Sequence, residues 1–145
     1  MALEFQVTFD AARPRELGQF WGEVLGYVEQ PAPEGFASWD AFLDAQGVPE
    51  GERNSAYSVV DPTGSGPRLL FQRVPEGKTA KNRVHLDVTC GGGRGVPLDE
   101  RRRRVDERAA ELVEHHGARR IGDGTEPGGY WVVLQDPEGN EFCLQ

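Results

Sequence analysis

The feature that most constrains this chain is that it repeats itself. Leu3 to Asp10 alternates apolar and polar residues, with Phe5, Val7 and Phe9 on one face and Gln6, Thr8 and Asp10 on the other, which predicts a strand. Pro14 then opens a predicted helix in which Leu17, Phe20, Trp21, Val24 and Leu25 recur at helical spacing, and Gly26 ends it. Ser55–Val60 and Arg68–Val74 are predicted strands joined across Asp61-Pro62-Thr63-Gly64. The second half has the same order: a strand over Arg83–Cys90, a helix from Asp99 or Glu100 to His116, and Gly117 as its stop. Strands then follow over Ala118–Ile121 and Tyr130–Gln135, the turn Asp136-Pro137-Glu138-Gly139, and a last strand over Asn140–Gln145. Asp-Pro-x-Gly alone is a common turn, but its recurrence at the same place in two copies of one element order points to duplication.

The copies differ in length at one place. Gly26 and Asp61 are 35 positions apart, Gly117 and Asp136 only 19, and the excess of 16 is close to the length of the segment 33–50. That segment reads as an insertion in the first copy. Its Trp39, Phe42, Leu43 and Val48 suit a short amphipathic helix, placed between the second and third strands as a lid. The expected fold class is therefore α+β, with two tandem βαβββ modules forming a curved mixed sheet around a cleft. The modules are expected over 3–74 and 83–145 within a single domain, 1–145. Phe20 and Trp21 are expected in the core, as are Val105, Ala109, Leu112 and Val113 of the second helix.

Composition excludes several classes. A net charge of −8 disfavours nucleic acid and anionic membrane surfaces. The run Arg101-Arg102-Arg103-Arg104 shares its helix with Glu100, Asp106, Glu107 and Glu111, so it reads as a solvated, salt-bridged face. No apolar run approaches the ~20 residues that span a bilayer, and the alternating start Met1-Ala2-Leu3-Glu4-Phe5 reads as a strand, not a signal peptide. Two cysteines, Cys90 and Cys143, are too few for a disulfide framework, so a cytoplasmic protein is expected. His115-His116 reads as a favourable helix end, and Gly91-Gly92-Gly93 as a linker.

Four stretches carry a family resemblance: Phe9-Asp10-Ala11-Ala12-Arg13-Pro14 with Phe20-Trp21 and Leu25-Gly26-Tyr27; Pro67 to Val74; Asn82-Arg83-Val84-His85-Leu86-Asp87-Val88; and Asp136 to Leu144. Together they resemble the vicinal-oxygen-chelate superfamily of glyoxalase/bleomycin-resistance type, in its glyoxalase-like branch. The resemblance covers nearly the whole chain and implies paired βαβββ modules and a homodimer. It also implies a small molecule held in the cleft, in many members by a divalent cation that polarises neighbouring substrate oxygens. That family includes lyases, isomerases, ring-cleaving dioxygenases and proteins that sequester an antibiotic, so fold alone does not decide function.

The metal-binding positions that the resemblance implies fall on Gln6, Leu70, His85 and Cys143. Leu70 has no donor atom, Gln6 is a poor ligand, and Cys143 binds soft or borderline ions such as zinc as a thiolate. The metal set on this reading is His85, Gln6 and Cys143, reduced from the usual four. The expectation is no cofactor, with a divalent metal, zinc or another, as the alternative. Asp87 shares a face with His85 and can orient it as a general base, which makes the pair the catalytic candidates; its alternative is local backbone bonding. Glu141 is set aside as a ligand, on a reading that puts it on the strand face opposite Cys143. The ligand-binding candidates are Gln6, Thr8, Trp39, Phe42, Leu70, Gln72, Tyr130, Trp131 and Cys143, the aromatics for stacking. The functional expectation is a small-molecule-binding protein with a degenerate metal site. The alternative is a metal-dependent lyase, isomerase or dioxygenase.

Overall fold

Pro14 occupies the first turn of α1 (Pro14–Leu25), where a missing N–H costs nothing, and Gly26 closes the helix at φ 70°, a conformation that disfavours side chains. The stripe Leu17, Phe20, Trp21 and Val24 is buried. It packs on a four-stranded sheet of order β1-β4-β3-β2, made of β1 (Val7–Ala11), β2 (Val28–Glu29), β3 (Ala56–Val60) and β4 (Leu69–Arg73). β1 runs parallel to β4, while β3 is antiparallel to both β4 and β2. Phe9 meets Trp21 and Phe71 with ring centroids 5.0 Å from each. Trp21 and Phe71 are fully buried, and a large apolar side chain so placed contributes roughly 1.5–3 kcal/mol. The opposite face carries the register row Thr8–Leu70–Ser58.

The computed structural model describes residues 1–145, which divide into two compact units, Met1–Gly77 and Lys78–Gln145. The second unit repeats the first strand for strand. Its sheet has the order β5-β8-β7-β6, from β5 (Asp87–Val88), β6 (Arg119–Glu126), β7 (Gly129–Gln135) and β8 (Glu141–Leu144). Helix α3 (Leu98–His115) buries Val105, Ala109 and Leu112, and Val132, Leu134, Phe142 and Leu144 are buried in the same unit. The other face carries the row Asp87–Cys143–Val133.

The recurrent Asp-Pro-x-Gly has a physical cause. The Asp61 carboxylate accepts from the backbone N–H of Thr63 and of Gly66, both at 2.8 Å, and these bonds hold its pKa below the ordinary value. Asp136, buried, accepts from the N–H of Glu138 and of Asn140, both at 2.9 Å. Gly64 and Gly139 supply the positive φ that each turn requires, 73° and 88°.

The insertion forms α2 (Trp39–Ala45), followed by a 3-10 turn over Glu50–Glu52. Ser38 caps α2, its Oγ accepting from the N–H of Ala41 at 3.1 Å. It does lie between the second and third strands.

Several expected boundaries need correction. The strand expected from Leu3 begins at Val7, because its partner β4 begins at Leu69, opposite Val7, and leaves earlier residues without a ladder. Phe5 is accordingly 70% exposed. Arg83–Cys90 shrinks to Asp87–Val88 for the same reason, since β8 offers only Cys143 and Leu144 as register partners. The strand expected over Ala118–Ile121 starts one residue later and runs on to Glu126 as one arm of a hairpin with β7. Val113 is 42% exposed, one residue and hence about 100° round the helix from buried Leu112. Glu141 shares a strand face with Cys143, because residues two apart point the same way.

Candidate functional site

The first unit contains a pocket of about 240 Å³ whose walls include Leu70, Tyr57, Arg68 and, from the insertion, Trp39, Leu43 and Val48. Trp39 is held by its indole N–H, which donates to the Gln30 carbonyl at 2.6 Å. Phe42 stands edge-on to Trp39 at 5.8 Å and to Phe36 at 5.2 Å, supporting the lining from behind. Arg68 donates from Nε to Gln30 Oε1 at 2.6 Å, from one terminal nitrogen to Gln6 Oε1 at 2.8 Å, and from the other to Ser58 Oγ at 2.6 Å. Trp39 and Arg68 are thus both anchored on Gln30.

The second unit holds a separate cluster. The ligand atoms of His85, Asp87 and Cys143 all lie within 4.8 Å of one another. His85 Nε2 is 3.3 Å from Asp87 Oδ1. Burial, the Asp87 charge and a hydrogen bond to Asp87 push the Cys143 thiol up to about 11, so at neutral pH it is a protonated donor and a weak nucleophile. On the same strand, burial pushes the Glu141 carboxyl up. Backbone hydrogen bonds and Lys78, at 3.3 Å, outweigh it and leave the group below the ordinary carboxylate range.

The residues expected to bind ligand have diverse surroundings. Trp39 and Leu70 line the pocket. Gln6 holds Arg68 and also donates to Thr8 Oγ1 at 3.3 Å, and Gln72 donates to Asp10 at 2.9 Å on an exposed surface. The Tyr130 hydroxyl donates to Asp106 at 2.7 Å, and Arg102 lies over its ring at 5.1 Å. Trp131 lies against Gly124 of the neighbouring strand, so closely that a Cβ on the glycine would come within 2.3 Å of the indole. Arg68 was missed by the sequence reading. The signal for it was present: it stands two residues before Leu70, so strand alternation gives both the same face.

The glyoxalase-like domain family model matches residues 6–145. The chain belongs to the glyoxalase-like domain family. No curated protein matches it in sequence. Several solved structures share its fold. One is a mutant of the genomically encoded fosfomycin resistance protein FosX from Listeria monocytogenes in complex with Mn(II) and 1S,2S-dihydroxypropylphosphonic acid (TM-score 0.61, 9% identity, 100% of this chain and 92% of that chain covered). Another is the bleomycin-binding protein of Streptomyces verticillus in complex with copper(II)-bleomycin (TM-score 0.52, 15% identity, 100% and 96% covered). A third is a glyoxalase/bleomycin resistance protein/dioxygenase family enzyme from Burkholderia phytofirmans (TM-score 0.56, 14% identity, 97% and 94% covered). At these identities the likeness is one of fold.

A glyoxalase-like fold raises the question of a metal, and the donor set answers in two parts. The four positions implied by the family include Leu70, which has nothing to offer a cation. The trio His85, Asp87 and Cys143 does offer one nitrogen, one oxygen and one sulfur donor close together, a mixed set that zinc accepts once the thiol loses its proton.

Proposed function

We propose that this glyoxalase-like protein is a small-molecule binder whose ligand lodges in the first unit's pocket beneath α2. The observation that carries this reading is the pocket itself: an apolar wall of Trp39, Leu43, Val48 and Leu70 beside the fixed polar head of Arg68. Such a combination of apolar surface with a few placed polar groups is the usual make-up of a ligand site. Trp39 encloses the ligand on this reading, with Phe42 bracing it edge-on. Thr8 and Gln72, the remaining ligand-binding candidates of the first unit, stand outside the pocket lining, and Tyr130, Trp131 and Cys143 belong to the second unit. Ligand-observed NMR against a panel of small apolar and aromatic compounds tests it. Binders are expected, and Trp39→Ala should abolish their signals while the variant stays folded. A panel without binders, or binding indifferent to Trp39→Ala, contradicts the reading.

The trio in the second unit supports a second reading, that of a metal-dependent lyase, isomerase or dioxygenase. His85, Asp87 and Cys143 would hold the ion, which when bound supplies a Lewis acid for vicinal oxygens. Asp87 orients the imidazole, and His85 serves as base where no ion is held. Metal analysis of protein purified without chelator decides it: stoichiometric zinc lost in His85→Ala supports this reading, and metal-free protein that takes up none on addition rejects it.

A further inference from the structure

We infer that the pocket of the first unit takes a small organic anion, a monocarboxylate on an apolar body, with Arg68 as the residue that receives the charge. The inference rests on the reading that this pocket holds a small molecule and names the class of that molecule.

Three arginines line the pocket. Arg53 is paired with Asp44, and Arg15 lies 3.8 Å from Asp40. Arg68 has no carboxylate within 4.0 Å; its three hydrogen bonds go to Gln30, Gln6 and Ser58, all through neutral oxygens. A guanidinium does not shed its proton, so this charge is held in place without being neutralised. Five N–H donors less the three used leaves two, one on each terminal nitrogen, to offer a carboxylate. Three neutral acceptors from three different segments fix the guanidinium before any ligand arrives, which lowers the cost of binding.

The rest of the lining selects the body and the charge. Trp39, Leu43, Val48 and Leu70 offer apolar surface. A volume of about 240 Å³ lies below the ~300–1,000 Å³ of drug-sized sites, which favours a body of about one ring. Glu29 and Glu52 also line the pocket. Glu52 is held by Arg73 at 2.5 Å, whereas Glu29 makes no ion pair. With those acids present, a second negative charge on the ligand is opposed, so a monocarboxylate is favoured over a phosphate dianion.

Calorimetry on the full chain at low salt, with phenylacetate, phenylacetamide and phenyl phosphate as probes, tests the assignment. Phenylacetate is expected to bind at least about tenfold more tightly than the isosteric amide, and more tightly than the phosphate. Arg68→Gln should erase the preference for acid over amide, with circular dichroism verifying the fold. Because Arg68 ties three segments together, a second readout uses the unmutated protein: its Nε–H NMR resonance should move with phenylacetate and not with phenylacetamide. Equal binding of acid and amide overturns the carboxylate assignment while leaving a small-molecule site. Absence of binding by all three probes overturns both. A preference for the acid that survives in folded Arg68→Gln, or an Arg68 resonance that stays still, also overturns the assignment.

Discussion

At the scale of single residues, the environment of each group decides its chemistry more than its type does. Cys143 is a free thiol, yet burial and the neighbouring Asp87 carboxylate push it up to about 11. Alkylation by iodoacetamide should therefore be slow at pH 8 and accelerate towards pH 11. Asp87→Asn removes a negative charge and should bring the acceleration to lower pH; mass spectrometry of the modified peptide reads both. Glu141 has the opposite sign. The residue is 8% exposed, and its carboxylate lies 3.3 Å from Lys78 and accepts from the Asn82 N–H at 3.2 Å. Its folded pKa is lowered, so its stabilisation is complete above the unfolded value and is lost as pH falls through the folded one. Glu141→Gln should cost about 1–3 kcal/mol in urea unfolding at pH 7, and the difference from the unsubstituted protein should shrink below about pH 4. The sequence reading misassigned this residue's strand face, and its lysine and asparagine partners lie far enough away in sequence that only the fold brings them together.

Among the elements, α1 and α2 illustrate two uses of a helix. Helix α1 sits close to its sheet because Gly18 has no side chain: a Cβ there would come within 2.3 Å of the Tyr57 ring. Gly18→Ala should therefore destabilise by about 1–3 kcal/mol through overpacking, despite alanine's higher helix propensity, and a lowered thermal midpoint would show it. Helix α2 buries none of its residues. Trp39→Ala should then weaken ligand binding by more than tenfold, while thermal melting shows only a small loss of stability. A melt lowered as far as that of a core truncation, with binding intact in the folded fraction, would mean that Trp39 only props up the loop. The helices, both Asp-Pro-x-Gly turns and the insertion were legible in the sequence, because periodicity and turn chemistry are local. The ends of β1 and β5 were not, since a strand ends where its partner does, and that is a non-local fact.

For the molecule as a whole, duplication explains the architecture, and the differences between copies mark the specialised sites. Both units have the same strand order, yet only the first carries α2 and its pocket, and only the second carries the His85, Asp87 and Cys143 trio. The family and its fold were legible from spaced motifs along the chain. The pocket was only half legible: Trp39 stood out as an aromatic on an insertion, but Arg68 became visible once Gln30, Gln6 and Ser58 were seen converging on it. The most direct test of the central claim, that a small molecule is held under α2, uses the three tryptophans as reporters. Trp39 lines the pocket, Trp21 is buried in the core, and Trp131 packs on Gly124. In 15N–1H spectra recorded during titration with phenylacetate, the Trp39 indole resonance should shift in a saturable way while that of Trp21 stays in place. A titration that moves only Trp131, or none of the three, would contradict the account.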